Sequence, residues 1–253
     1  MTALAEKTVL VTGASRGIGA AAATALGAAG ATVISHYRSD RAGAEAALAA
    51  VADSRKRFVR ADFVEPGAAR ALFREVAAST RVDAVVVNAA VSVETPFDGS
   101  DEAWDRGWDE IVRVNVLEPS SLIREAVSHF RANGGGVVIT LSSWAAQQGS
   151  AIPSLPAYAA SKAAVKAVTQ TVARAYAKEG VLAYVVAPGI VATRMSEISA
   201  TARGGLDKVL AVLALGEMVP PEELGSLIVF LASGACRHLT GATIDVNGAT
   251  YVR

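Results

Sequence analysis

Short runs of apolar, β-branched residues alternate along this chain with longer segments in which apolar side chains recur every three or four positions. The runs at residues 7–12, 31–37, 57–61, 83–88, 137–141, 182–187 and 243–246 read as strands. Helical periodicity fills the gaps, from the glycine turn after residue 12 to about residue 29, then over 40–53, 66–79, 101–115, 119–132, 156–178, 206–215 and 221–232. The 83–88 run is nearly all valine, as suits a strand covered on both faces. Regular alternation of strand and helix predicts an α/β fold: a doubly wound parallel sheet of about seven strands between two helical layers. No linker or internal repeat divides it, so residues 1–253 are expected to form a single domain.

In such a sheet ligands bind beyond the carboxyl ends of the strands. The residues there are 13–19, 36–39, Asp62 and Phe63, 88–91, Ser142 and Ser143, and 188–193. Gly13-Ala14-Ser15-Arg16-Gly17-Ile18-Gly19 lies between a strand and a helix, the context in which glycines allow a tight turn and the helix N-terminus can meet a phosphate. The 156–178 helix begins at the same edge and carries Tyr158 and Lys162. Positions four apart share a helix face, so both side chains can address one spot. A cation beside a phenol is expected to lower the phenol pKa, giving a proton donor and acceptor useful near neutrality.

Composition narrows the chemistry. Lys plus Arg and Asp plus Glu both number 24, so no broad field draws nucleic acid or anionic lipid, and any anion site must be local. The single Cys236 and three scattered histidines predict no internal disulfide and no metal site. No apolar stretch approaches the roughly 20 residues that span a bilayer. With no basic and apolar leader at the N-terminus, the chain is expected to be soluble and cytoplasmic.

Thr12-Gly13-Ala14-Ser15-Arg16-Gly17-Ile18-Gly19, then Asn88-Ala89-Ala90, Asn115, Ser142-Ser143, Tyr158-Ala-Ala-Ser-Lys162 and Pro188-Gly189 resemble, in order and spacing, the motifs of the short-chain dehydrogenase/reductase family. The resemblance spans essentially the whole chain, and 3-oxoacyl-(acyl carrier protein) reductases are among the similar members. It implies a Rossmann fold and a catalytic tetrad of Asn115, Ser143, Tyr158 and Lys162. Ser143 would bind the substrate oxygen and Tyr158 would exchange a proton with it. Lys162 would hold the nicotinamide ribose and bias Tyr158, and Asn115 would support a relay water. Ser142 competes with Ser143 by position; the family pattern favours the second serine. Cofactor contacts are implied for Gly13, Ser15, Arg16, Gly17, Ile18, Gly19, Tyr37, Arg38, Ser39, Asp62, Phe63, Asn88, Ala89, Ala90, Tyr158, Lys162, Pro188, Gly189, Ile190 and Thr193. Two departures stand out. Ala90 replaces a usual glycine, and the loop from Ser143 to Tyr158 is about two residues longer than in many relatives.

The stretch after the second strand, Ser35-His36-Tyr37-Arg38-Ser39, lacks the acid that would address a ribose 2′-hydroxyl, and Asp40 lies beyond it. Arg16 and Arg38 could instead fork around a 2′-phosphate. NADP(H) is therefore expected over NAD(H). His36 could contact the adenine ribose or simply fill space, and Asp62 could address adenine or cap a turn. Residues 91–97, 144–157 and 195–218 are expected to choose the substrate, the last lying in a substrate-loop segment at about 190–218. The apolar stripe of Ile198, Leu206, Val209, Leu210, Val212, Leu213 and Leu215 serves as core or as a lid. Arg124 and Arg131 either attract an acidic carrier protein or form a solvated helix face.

The leading expectation is an NADP(H)-dependent reductase or dehydrogenase interconverting a carbonyl and a secondary alcohol, with an acyl thioester or small molecule as substrate. An NAD-linked sugar or polyol dehydrogenase is the second reading, and a dinucleotide-binding regulator without turnover the third. The four-residue Tyr–Lys spacing argues against enoyl reductases, which resemble this chain but usually space the pair further apart. The family also implies a homotetramer built through the 119–132 and 156–178 helices and the C-terminal edge.

Overall fold

The computed structural model describes residues 4–194, 196, 200 and 205–252. Seven strands form one parallel sheet: β1 (Thr8–Val11), β2 (Thr32–Tyr37), β3 (Lys56–Arg60), β4 (Ala84–Val87), β5 (Gly136–Leu141), β6 (Val181–Pro188) and β7 (Thr243–Val246). Their order is β3-β2-β1-β4-β5-β6-β7. β1 pairs with β2 on one side and β4 on the other, so the chain reverses its direction of travel there. That reversal opens the crevice in which doubly wound folds hold ligands.

One helical layer contains α1 (Gly17–Ala28), α2 (Arg41–Ala47) and, late in the chain, Pro221–Ala232. α1 and the late helix approach closely because their contact is made of small residues. A Cβ on Gly225 would sit 2.9 Å from the Ala21 carbonyl oxygen. The other layer contains α3 (Ala68–Ala77), α4 (Asp101–Val112), α5 (Glu118–Ala132) and α7 (Pro156–Tyr176), with the short α6 (Ala145–Gln148) before α7. Apolar clusters fill both interfaces, Leu26, Val33, Leu224 and Ile228 in one and Phe73, Leu122, Phe130 and Val172 in the other.

Four helices differ from their predicted extents. The 40–53 segment is helical only over Arg41–Ala47, and Asp53–Arg55 forms a separate 3₁₀ turn. Val51 there drops onto α1, where a Cβ on Gly27 would meet its methyl at 2.3 Å. Between α4 and α5 the chain does not break but continues through a π turn, Arg113–Leu117. Buried Glu118 follows it and reaches across to α3, accepting from the amides of Gly67 at 2.7 Å and Ala69 at 2.9 Å. Two amides that the start of a helix cannot satisfy internally are thereby paired by a carboxylate from another element. The late stripe is helical over Leu206–Leu210 (α8), followed by turns. Val212 and Leu215 are exposed and Val209 and Leu213 buried, so only part of that stripe is core. Residue 195 and Ile198 lie outside the described residues. Pro221–Ala232 is α9.

Candidate active site

The glycine turn is held from both flanks. Gly13 has φ +67°, and a Cβ on Gly19 would fall 2.1 Å from the Gly13 carbonyl oxygen, so the start of α1 rests directly on the turn. Asn88, beyond β4, donates from Nδ2 to the carbonyls of Thr12 at 2.9 Å and Gly13 at 3.1 Å. The Thr12 hydroxyl accepts from the amides of Asn88 and Ala89. Thr12, Gly13, Asn88 and Ala89 are thus tied to one another at the carboxyl ends of β1 and β4. Thr193, beyond β6, closes the groove, its methyl 3.1 Å from where a Gly17 Cβ would be.

At the β2 end, Arg16, Arg38 and Ser39 are exposed and Tyr37 is half-buried. The Ser15 hydroxyl donates to the Asp40 carbonyl at 2.6 Å. The Asp40 carboxylate accepts from Gly43 N at 2.8 Å, capping α2. At the β3 end, Asp62 accepts from Val64 N at 3.1 Å in a local turn. Phe63 is buried with its ring stacked on His36, centroids 4.5 Å apart. Ala90 is half-buried beside Asn88 and Ala89. Pro188 ends β6, Gly189 N donates to Val246 O at 2.9 Å, and Ile190 O accepts from Val219 N at 2.8 Å. Crowding explains glycine at 189, because a Cβ there would meet Asn247 Cβ at 2.8 Å.

At the β5 end the two serines part company. Buried Ser142 donates from Oγ to the Lys162 carbonyl at 2.8 Å. Ser143 Oγ accepts from Ala145 N at 3.2 Å, the first residue of α6, and its side chain lies near enough to the Tyr158 phenol to favour the phenolate. The turn into α6, within the long segment between Ser143 and Tyr158, therefore orients Ser143. Lys162 is 5% exposed, and its Nζ donates to Leu141 O at 2.9 Å and lies 5.7 Å from the Tyr158 ring centroid.

Burial dominates the electrostatics. It lowers the Lys162 pKa from 10.5 to about 8, because a buried ammonium loses its hydration. It also raises the Tyr158 phenol above its ordinary 10.0, and the Ser143 side chain pulls the other way. The expectation from Tyr–Lys spacing alone, a lowered phenol pKa, is thus reversed in this structure: desolvation outweighs the partners present.

Asn115 sits in the π turn, 2% exposed. Its Oδ1 accepts from Val91 N at 2.8 Å, and its Nδ2 donates to Val91 O at 2.8 Å and Ser161 Oγ at 3.1 Å. Ser161 in turn donates to the Tyr158 carbonyl at 2.7 Å. Asn115 is thereby linked to the Tyr158 main chain through Ser161, and to the loop after β4. Ser161 was visible as the third residue after Tyr158, yet nothing in the sequence showed its partner. Thr95 was also missed; fully buried, it accepts at Oγ1 from Ala157 N at 3.4 Å, one residue before Tyr158. Its amide donates to Ser154 O at 2.7 Å, tying the loop after β4 to the long loop before α7.

Elsewhere, Arg131 pairs with Glu179 at 2.5 Å and lies over the Tyr176 ring, and His129 accepts from Val82 N at 3.1 Å. Among the described residues no group of three His, Cys, Asp or Glu side chains could hold a metal ion, and no helix is long and apolar enough to cross a membrane.

Residues 13–249 match the family model described as enoyl-(acyl carrier protein) reductase. A 3β-hydroxysteroid dehydrogenase from Eggerthella lenta is 34% identical over 97% of this chain and 94% of its own length. A 3-oxoacyl-[acyl-carrier-protein] reductase from Staphylococcus aureus is 29% identical over 97% of this chain and 98% of its own. Among solved structures, the 3-oxoacyl (acyl-carrier-protein) reductase of Agrobacterium tumefaciens, with NADP bound, superposes with a TM-score of 0.87 at 31% identity, covering 97% of this chain and 94% of that one. The chain belongs to the short-chain dehydrogenase/reductase family of oxidoreductases.

Proposed function

We propose that this protein is an NADP(H)-dependent oxidoreductase that interconverts a carbonyl and a secondary alcohol, with Asn115, Ser143, Tyr158 and Lys162 as its catalytic set. The observation that carries the reading is the convergence of Ser143, the Tyr158 phenol and buried Lys162 where the end of β5 meets the start of α7. The groove fits a dinucleotide: Gly13, Gly17 and Gly19 leave no room for side chains where the turn, α1 and Thr193 converge. Ser15, Arg16, Ile18, Tyr37, Arg38, Ser39, Asp62, Phe63, Ala89 and Ala90 would border its adenosine half, and Pro188, Gly189, Ile190 and Thr193 its nicotinamide half. When bound, it supplies the hydride.

Ser143 and Tyr158 grip the substrate oxygen from one side, and Tyr158 gives or takes its proton. A phenol whose pKa lies above 10.0 is protonated at neutral pH and serves as the acid in the reducing direction. Lys162, lowered to about 8, remains mostly protonated at pH 7 and stabilises the phenolate left behind. The side chain of Asn115 is committed to Val91 and Ser161, so any relay water it carries hangs on its main chain.

NADP(H) is favoured because Arg16 and Arg38 are exposed, whereas the nearest acid, Asp40, is turned into α2. A 3-oxoacyl thioester or another apolar ketone is the favoured substrate class, since exposed Leu206, Val212 and Leu215 offer an apolar cover within 190–218. All 253 residues act as one domain in this reading. A homotetramer that uses the exposed Phe97 beside α4 and α7 and the edge strand β7 as contact surfaces, and a cytoplasmic location, complete the reading. The test is kcat/KM with NADPH and NADH against ketones, 3-oxoacyl thioesters and polyols. A preference for NADPH of at least about tenfold with a ketone or thioester supports the proposal; preference for NAD with polyols would replace it with a polyol dehydrogenase.

A further inference from the structure

His36 was a candidate for the adenine ribose, but the structure leaves it no ring nitrogen for one. The side chain is 3% exposed, wedged between the end of β2, the end of β3 and the glycine turn. Nδ1 lies 3.1 Å from Gly13 N, and a backbone amide can only donate, so Nδ1 is the unprotonated acceptor. Nε2 then carries the hydrogen and donates to Ala61 O at 3.1 Å. The main-chain carbonyl of His36 accepts from Ala14 N at 2.9 Å. One residue therefore takes the first two amides of the turn, while Phe63 stacks on the ring at an interplanar angle of 8°.

Gly13 is the pivot on which α1 rests, since Gly19 packs against its carbonyl with no space for a Cβ. The first amides of an α-helix have no intrahelical partners and can meet a phosphate. Rotating the Gly13 peptide would shift the helix start and the direction of those amides. We propose that His36 is a positioning residue for diphosphate binding: by accepting from Gly13 N–H it fixes the turn on which α1 presents its amides to a dinucleotide. This inference rests on the reading of that turn as the diphosphate site. Burial keeps the imidazole pKa at about 4, outweighing the opposing effects of the Ala61 carbonyl and Asp62, so the acceptor persists at neutral pH.

The test compares wild-type protein with His36→Asn, whose Oδ1 can stand where Nδ1 stands, and His36→Phe, which keeps the stack and loses the acceptor. Dissociation constants are measured by calorimetry for NADPH and for adenosine 2′-monophosphate, which lacks the diphosphate. Phe is expected to weaken NADPH about tenfold or more and Asn less than about threefold, with adenosine 2′-monophosphate changed less than about twofold in both. Equal NADPH affinity in wild type and Phe, equal losses in Asn and Phe, or parallel loss of adenosine 2′-monophosphate would each overturn the proposal. Nitrogen-15 NMR of the wild type is independent of variant folding: an Nε2–H tautomer supports the assignment, and an Nδ1–H tautomer overturns it. Wild-type protein that binds neither NADPH nor NADH would instead remove the dinucleotide reading itself, and this proposal with it.

Discussion

Ser142 Oγ donates to the main-chain carbonyl of Lys162 at 2.8 Å, so the serine next to the proposed catalytic one is a strut between β5 and α7. Of the two, Ser143 is the one whose side chain acts on the Tyr158 phenol. Ser143→Ala should therefore lower kcat/KM by about 10²–10⁴, the range for a lost acid–base or oxyanion partner. Ser142→Ala should cost about tenfold or less and show mainly as lowered thermal stability. Steady-state kinetics on both variants decide the assignment, and a larger kinetic loss for Ser142→Ala would reverse it.

Lys162 should trade stability for function. Its folded pKa is depressed from 10.5 to about 8, so the folded state favours the neutral amine. That contribution is full above the unfolded pKa and is lost as pH falls through about 8. At pH 7 the buried ammonium consequently costs stability, by about 3 kcal/mol before the Leu141 hydrogen bond is counted. Lys162→Met is expected to lose turnover while unfolding at equal or higher denaturant concentration at pH 7. The wild type should close that gap as pH rises from about 8 toward 10.5. Urea melts at pH 7 and pH 9.5 measure both effects.

Arg38 is exposed beside half-buried Tyr37, and among the described residues it has no ion-pair partner. Arg38→Glu should repel a 2′-phosphate and welcome a ribose hydroxyl, lowering kcat/KM for NADPH by about 10–100-fold relative to NADH. An unchanged ratio would free Arg38 from any part in cofactor choice.

Glu118 is 1% exposed and holds the amides of Gly67 and Ala69. Glu118→Gln leaves an NH₂ facing one of these donors, which should destabilise the fold by about 1–3 kcal/mol. Because Glu118 follows the π turn that presents Asn115, kcat should fall more than the cofactor KM changes. Chemical denaturation with paired kinetics checks this, and a variant as stable as wild type would show that the carboxylate caps nothing of consequence.

The sheet was legible because strands such as β4 are continuous valine runs that can be satisfied only between two helical layers. Helix ends were less so. Residues 48–53 have helical composition, but Val51 is taken by the gap above Gly27. The π turn at Asn115 depends on Val91 and Ser161, residues 24 and 46 positions away, which no local periodicity encodes. Likewise, the spacing of Tyr158 and Lys162 showed that they share a face, but the desolvation that reverses the expected phenol shift is a property of the packed site. His36 could be singled out from the sequence, yet its use by Gly13 and Ala61 appears only when β2 lies between them.

The proposed role of Tyr158 is delivery of the proton that accompanies hydride transfer. Its most direct test follows deuterium from C4 of deuterated NADPH into a ketone or 3-oxoacyl thioester, for wild type and Tyr158→Phe at equal cofactor saturation. Deuterium is expected on the carbinol carbon of the wild-type product, and a rate at least about 10²-fold lower in the variant with NADPH affinity retained. Transfer at an undiminished rate in Tyr158→Phe would contradict it.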